Sequence, residues 1–465
     1  MRPGTKIRGI RTPLLLIAIG EAMVLCSSVY VTAYLLYDGP AAWQADVGDL
    51  FPKSVAVTAI MILSLISMGL YQFHQRLYFK EAAIRVVVAF AAGSTVLAAL
   101  FYLAPSLELG RRFTTIALLY AFFGILVLRF WFLRTVDDNI FSYRTLVYGA
   151  GERAGSIGDL RRKADRRGFK ILGSVPTPRD TSRTEVNGPL FEGRELLELA
   201  EELDAEEIVV ALDDRRGNLP IRDLLACKLR GIEVIDLLEF LERETGKIRV
   251  DLVSPGWLIF SSGFRVTKLR RAVERGFDLS LSLLCFAIVW PILLLVALCI
   301  KLEDGPGASV FYRQRRVGLH GDCFDVLKFR SMHENAEAPG QEVWASQDDD
   351  RVTRVGKFIR KYRLDELPQI LNVLRGDMSL VGPRPERPKF VAQLSESIPY
   401  YAERHTVKPG ITGWAQLKYA YGSTEQDAVE KLQYDLFYVK NQGLMLDVAI
   451  LLQTVEVVLW GKGAR

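Results

Sequence analysis

The stretch 360-RKYRLDELPQILNVLRGDMSLVGPRP-385 decides how this chain is read. Asp365 and Glu366 stand side by side just before a short apolar run, Leu367 to Leu374. Proline has a fixed φ and no N–H to lose, so Pro368 suits the first turn of a helix. Both acids then lie near a helix N-terminus, where the dipole favours their ionised form. Arg360, Lys361 and Arg363 precede them, and Gly382-Pro383-Arg384-Pro385 closes the stretch as a stiff turn around one arginine. Such a carboxylate pair beside fixed arginines suits metal-assisted chemistry on a phosphorylated substrate. Carboxylates hold Mg2+ or attack phosphorus, and arginines grip phosphate oxygens. The plainer alternative is that the two acids only cap a helix, since acids are common in a first turn.

Half of the 465 residues are hydrophobic and the mean hydropathy is +0.15, which points to membrane segments. The length leaves room for about three domains. A net charge of +5 gives no indication of a nucleic-acid partner. Basic residues instead cluster beside apolar runs, as at a cytoplasmic membrane face. Cys26, Cys227, Cys285, Cys299 and Cys323 are scattered, and His74, His320, His333 and His405 lack metal-ligand spacing.

Four apolar runs fill the first third: about Leu14 to Tyr37, Val55 to Tyr71, Ile84 to Leu103 and Phe113 to Leu133. Each is near the length that spans a bilayer as a helix. Arg2, Lys6, Arg8 and Arg11 precede the first run, and Asp38, Asp46 and Asp49 follow it. Arg76, Lys80 and Arg85 lie in or beside the second loop, and Arg134 and Arg144 follow the fourth run. The positive-inside rule then puts both ends of the block in the cytoplasm. Glu21 lies inside the first run and is read as helix packing ahead of function.

RTLVYGAGERAG (144 to 155) reads as a strand turning into a helix through Gly149, Gly151 and Ala154, a variant of the dinucleotide fingerprint. FKILGSV (169 to 175), EEIVVAL (206 to 212) and IEVIDL (232 to 237) read as further strands of a parallel sheet. The acid that a ribose needs after the second strand is missing, since Pro176-Thr177-Pro178-Arg179 stands there. A fold without cofactor is therefore preferred, with Gly149 and Gly151 as weak candidates. Gly246 to Phe264 reads as a connector.

A fifth apolar run, about Phe277 to Ile300, carries Pro291 in its middle. It is basic on both flanks, with Lys268, Arg270, Arg271 and Arg275 before it and Lys301 and Arg313 to Arg316 after it. A helix that breaks at Pro291 and returns leaves both flanks on one side; a plain span with a kink is the alternative. Further on, 312-YRQRRVGLHGDCFDVLKFRSM-332 has two strand-like runs around a glycine turn. It presents Lys328 and Arg330 at alternate positions. VKPGITGWAQL (407 to 417) is a glycine-rich loop, and 444 to 460 is an apolar helix expected in the membrane interface or against the re-entrant helix.

The basic entry RRAVERGFD, the Pro291 helix, QRRVGLHGDCFDVLKFRSM, LDELPQILNVLRGDMSLVGPRP and KPGITGWAQ occur in this order over the last 200 or so residues. Together they resemble the catalytic domain of bacterial monotopic phosphoglycosyl transferases. The four apolar runs and the degenerate nucleotide fold look like the large subclass of that family, which includes undecaprenyl-phosphate glucose and galactose phosphotransferases. The implied fold class is a membrane α/β protein. It comprises a four-helix transmembrane block (1–137), a Rossmann-like parallel domain (138–245), a connector (246–267) and an α+β catalytic domain (268–465) with a Pro-broken re-entrant helix at about 277–300.

The resemblance implies transfer of a sugar 1-phosphate from a UDP-sugar to undecaprenyl phosphate, with release of UMP, at the cytoplasmic face of the bacterial inner membrane. It implies that Asp365 is a nucleophile forming a covalent phosphosugar, with Glu366 as partner and Mg2+ held by the pair. Arg360, Arg384 and Lys328 carry over as groups near the substrate phosphates, with Arg330 beside Lys328, and Pro291 as the break in the re-entrant helix. Relatives commonly have serine before that proline, where this chain has Trp290. The expected partners are the UDP-sugar, the lipid acceptor and the bilayer, with a homodimer left open and nucleic acid excluded. The sugar is expected to be a hexose, glucose or galactose. Two other functions compete: a membrane-bound NAD-dependent enzyme acting on nucleotide sugars, and a non-catalytic assembly scaffold. Against the first, no lysine has a tyrosine four residues before it.

Overall fold

The computed structural model describes residues 12–71, 79–135, 142–158, 160, 169–178, 180, 188–214, 219–264, 267–333, 351–419, 422 and 424–460. Arg2, Lys6, Arg8, Arg11, Arg76 and Arg179 lie outside these residues. The chain forms two compact units, Met1–Glu244 and Thr245–Arg465.

In the first unit four long helices follow the apolar runs: α1 (Thr12–Leu36), α2 (Leu50–Ser67), α3 (Phe79–Leu103) and α4 (Arg111–Thr135). α2 begins earlier than its run because Asp49 caps it, accepting from the Phe51 amide at 3.0 Å. All four are long and apolar enough to cross a membrane. They share a core that includes Leu25, Met61, Val86 and Ile125, while Met23, Leu63 and Phe123 face outward. Glu21 is fully buried and ion-paired to Arg129 at 2.6 Å, with the Tyr71 hydroxyl donating to it. This joins α1 to α4 and to the chain after α2, which accounts for an acid inside an apolar run by packing.

The same unit contains a four-stranded, all-parallel sheet: β1 (Tyr143–Tyr148), β2 (Phe169–Val175), β3 (Glu207–Val210) and β4 (Glu233–Asp236), in the order β2-β1-β3-β4. β3 is buried along its whole length, as a central parallel strand requires. Gly149 and Gly151 sit at the turn after β1, but their surroundings are filled by the protein itself. A Cβ on Gly149 would strike the Ala211 carbonyl, and one on Gly151 the Asp213 carboxylate. Asp213 accepts from the amides of Glu152 (3.1 Å) and Arg153 (2.9 Å), and Asp180 from that of Ala150 (3.0 Å). Two carboxylates thus occupy the amides that a dinucleotide would offer its pyrophosphate.

The second unit begins at Thr245, so residues 246–264 fall within it. Ile248 and Val250 are buried in one core with Ile398, Leu432 and Leu436. The Ile248 amide donates to Gln433 O (3.0 Å), and Trp414 Nε1 to Gly246 O (2.7 Å). The alternating apolar side chains of this segment carry it into the core.

α5 (Lys268–Asp304) contains Pro291 and is helical from end to end. Pro291 removes one N–H from the ladder, and helical backbone continues on both sides of it. Both its ends dock on the unit. Arg275 donates to the carbonyls of Val373 (2.6 Å) and Leu374 (2.7 Å), and Asp278 accepts from Ser379 Oγ and the Leu380 amide, both 3.1 Å. At the other end Glu303 accepts from the amides of Arg354 (2.8 Å) and Val355 (3.0 Å). The middle, including Leu283, Ile288, Leu294 and Leu295, is exposed.

Strands β5 (Phe311–Val317) and β6 (Cys323–Phe329) form an antiparallel hairpin. α6 (Arg354–Lys361), capped by Thr353 and Glu303, leads into a 3-10 turn, Leu364–Glu366, and then α7 (Gln369–Arg375). β7 (Ser379–Val381) pairs in parallel with β8 (Gly410–Thr412), and α8 (Glu425–Asn441) and α9 (Leu444–Trp460) complete the unit. α9 packs inward: Asp447 accepts from the Tyr438 hydroxyl (2.8 Å), and Thr454 and Thr412 share a hydrogen bond of 2.7 Å.

Candidate active site

Asp365 and Glu366 lie in the 3-10 turn before α7, not in its first turn, because Pro368 takes the N-cap position. The turn hangs between two fixed elements. Upstream, α6 is held at its N-terminus by Glu303 at the end of α5. Downstream, α7 is clamped to β6 by Asn372, whose Oδ1 accepts from the Leu327 amide (2.9 Å) and whose Nδ2 donates to Asp325 O (2.8 Å). That clamp brings Lys328, the next residue of β6, toward the dyad.

Glu366 is surrounded by cations. Its Oε1 accepts from Arg384 Nη2 at 2.8 Å and lies 3.7 Å from Lys328 Nζ and 3.6 Å from Arg363 Nη1. Burial alone would raise its pKa; Arg384, Lys328 and Arg363 together outweigh burial and hold it at about 2. Asp365 behaves in the opposite way. Burial and the adjacent Glu366 charge push it upward, with Lys328 opposing. Its Oδ1 is buried without a hydrogen-bond partner among the described residues. Lys328 is pushed down by burial, against the pull of Glu366.

Arg384 is fixed through the backbone around it. β7 and β8 approach so closely that a Cβ on Gly382 would strike the Lys408 carbonyl. The Pro383 carbonyl accepts from the Gly410 amide (3.0 Å), that of Arg384 from Arg404 (3.1 Å), and that of Pro385 from Arg316 (3.1 Å). Three successive carbonyls are therefore held while the Arg384 guanidinium extends to Glu366. Arg404 is itself buried and paired with Asp435 at 2.7 Å.

Lys328, Arg384, Asp365 and Glu366 thus come together. Arg330 does not join them. It is buried and paired with Asp304 at 2.8 Å, so it tethers the end of α5 to the chain after β6. Arg360, in the last turn of α6, makes no ion pair with the dyad among the described residues; its carbonyl accepts from the Arg363 amide at 3.2 Å. Pro291 lies within α5 and contributes no group to the dyad. Sequence reasoning noted Arg363 before the dyad without giving it a role there, and missed Asn372 as the clamp and Arg404 with Asp435 as the support of Arg384. Asn372 carried one signal: a polar residue inside an apolar run needs a hydrogen-bond partner when buried.

The donor set can be tested against a divalent cation. Among the described residues no group of three His, Cys, Asp or Glu side chains converges. Mg2+ does not need one, since it keeps waters and takes substrate phosphates beside one or two carboxylates. The unpartnered Oδ1 of Asp365, beside a second carboxylate, fits that pattern.

Residues 269–461 match the family model described as bacterial sugar transferase. The chain is 42% identical over 253 residues to a UDP-N-acetylgalactosamine-undecaprenyl-phosphate N-acetylgalactosaminephosphotransferase from Aeromonas hydrophila, covering 54% of this chain and 58% of that protein. It is 29% identical over 482 residues to a UDP-glucose:undecaprenyl-phosphate glucose-1-phosphate transferase from Xanthomonas campestris pv. campestris, covering 97% of each. A protein of the same description from Caulobacter vibrioides is 45% identical over 188 residues, covering 40% of this chain and 69% of that protein. The matched segment contains the dyad, its three cations and nearly all of α5, and the chain belongs to the bacterial sugar transferase family.

Proposed function

We propose that this protein transfers a sugar 1-phosphate from a UDP-sugar to undecaprenyl phosphate, releasing UMP, as the first membrane step of exopolysaccharide or O-antigen synthesis. One observation carries the reading: a buried carboxylate oxygen without a hydrogen-bond partner among the described residues, Asp365 Oδ1, adjoins a carboxylate already neutralised by cations, Glu366. Within such a pair only Asp365 is free to attack. The relatives named above are described as acting with UDP-glucose or UDP-N-acetylgalactosamine and undecaprenyl phosphate, which supports a hexose or N-acetylhexosamine as the sugar.

In the first displacement an Asp365 oxygen attacks the phosphorus that bears the sugar. The P–O bond to UMP breaks, and its electron pair leaves with UMP. In the second, an oxygen of undecaprenyl phosphate attacks the same phosphorus, and the bond to Asp365 breaks to restore the carboxylate. Burial and the Glu366 charge raise Asp365, which strengthens its ionised form as a nucleophile. Arg384 and Lys328 keep Glu366 ionised and add positive charge where phosphate oxygens gather. Mg2+, held by Asp365 and Glu366, would supply further neutralisation of the diphosphate.

The site belongs at the cytoplasmic face of the inner membrane, with α5 bending at Pro291 to return to the side it entered. The basic residues on both flanks, the docking of both ends on one unit and the exposed apolar middle support this path. Cys323, exposed on β6, is the reporter: in intact cells it should escape a membrane-impermeant thiol reagent and react after permeabilisation. The function is tested by UMP release from a panel of UDP-sugars with undecaprenyl phosphate. Release with at least one UDP-sugar, dependent on the lipid and on Asp365, is expected. Its absence across the panel would overturn the reading.

A further inference from the structure

The third cation of the cluster is unlike the other two. Arg363 has φ 56° and ψ 21°, the left-handed region, where α6 ends and the dyad turn begins. That position suits glycine or asparagine, because a Cβ crowds the backbone there. Its guanidinium gives the fold little in return. It lies 3.6 Å from Glu366 Oε1 and makes no hydrogen bond among the described residues. The Glu366 charge is already met by Arg384 at 2.8 Å, with Lys328 at 3.7 Å. The Arg363 side chain is 63% exposed, against 28% for Arg384 and 19% for Lys328. A strained backbone thus presents a surplus, solvent-facing cation within two residues of Asp365.

We propose that Arg363 is a substrate-binding residue that captures the diphosphate of the soluble nucleotide-activated donor at the mouth of the site. This rests on the reading of the function given above and adds to it the group that receives the donor from solution. A planar guanidinium can take two phosphate oxygens at once. Its weak hold on Glu366 leaves it free to turn toward an anion arriving from water. Arg384 and Lys328, bound inward, act on the charge that surrounds the reacting phosphorus.

The variant Arg363→Gly tests this because fold and function pull in opposite directions. Glycine relieves the left-handed backbone, so the thermal midpoint of the full chain in nanodiscs should be unchanged or higher. The KM for the UDP-sugar should rise about tenfold or more, with kcat changed far less. Arg363→Lys should fall between wild type and Arg363→Gly, since it keeps charge but loses the fork. Binding is measured separately with inorganic pyrophosphate and with UDP. Wild type and Asp365→Asn should bind both, and Arg363→Gly should bind each about tenfold more weakly. An unchanged KM and unchanged pyrophosphate binding in Arg363→Gly would overturn the proposal. So would a lowered midpoint that accounts for the lost activity. If wild type releases no UMP from any UDP-sugar, the reading of the function fails, and the pyrophosphate measurement still decides the role of Arg363.

Discussion

Arg384 and Glu366 lie eighteen residues apart and are joined by a hydrogen bond of 2.8 Å between Nη2 and Oε1. One prediction concerns this bond directly. Arg384→Lys keeps the charge and loses the planar fork, so activity should fall about ten- to a hundredfold while the protein stays folded. Arg384→Ala should lose more, because Glu366 is then left with fewer cations in a buried setting. Activity of Arg384→Lys equal to wild type would show that the bond serves only the fold.

Glu366 predicts an acid sensitivity. Its folded pKa, about 2, lies below its ordinary 4.5. A depressed carboxylate contributes stability that is present above its unfolded pKa and is lost as pH falls through the folded one. The loss should develop between pH 4.5 and about 2, and the contribution at neutral pH is on the order of 3 kcal/mol. Chemical denaturation from pH 7 downward should show wild type losing that increment and Glu366→Gln lacking it throughout.

Asp365 predicts the reverse. Its folded pKa is raised, first by burial and then by Glu366. Such a group favours the fold below its unfolded pKa and costs stability as pH rises through the folded value. At neutral pH, Asp365→Asn should therefore be as stable as wild type or more so, yet lose several orders of magnitude in turnover. With radiolabelled UDP-sugar and no lipid, wild type should retain a covalent phosphosugar and Asp365→Asn should not. Near-normal turnover, or an adduct on another residue, would reassign the nucleophile.

Asp435 is predicted to act at a distance. It pairs with buried Arg404, which holds the Arg384 carbonyl. Asp435→Asn leaves the Arg404 charge uncompensated and should destabilise the second unit by about 3–5 kcal/mol. At a temperature where the variant remains folded, the KM for the UDP-sugar should also rise as Arg384 loses its support. A stability loss with unchanged kinetics would confine the pair to a structural role.

The boundary at Thr245 predicts how the chain can be cut. Residues 245–465 should fold in detergent as a unit. Residues 265–465 should be less stable, because removing Ile248 and Val250 opens the core around Leu432 and Leu436. Equal thermal midpoints for the two pieces would return 246–264 to the status of a linker.

The apolar periods of the four N-terminal helices, the strands of the parallel sheet and the hairpin around Gly318 to Asp322 were legible in the sequence, because each depends on patterns within a few residues. The dyad and the arginine between two prolines were legible for the same reason. Other features were decided only by the tertiary structure. Lys328 and Arg330, two residues apart, diverge to Glu366 and Asp304, and no local rule separates them. Gly149 and Gly151 have fingerprint spacing, but Asp213, beyond β3, fills the amides that the spacing offers. The same holds for Arg363, whose exposure marks it off from Arg384 and Lys328. Backbone propensity and hydrophobic pattern act over neighbouring residues, and the sequence determined what they govern. The partner of a charge depends on where segments distant along the chain are brought by packing, and that the tertiary structure decided.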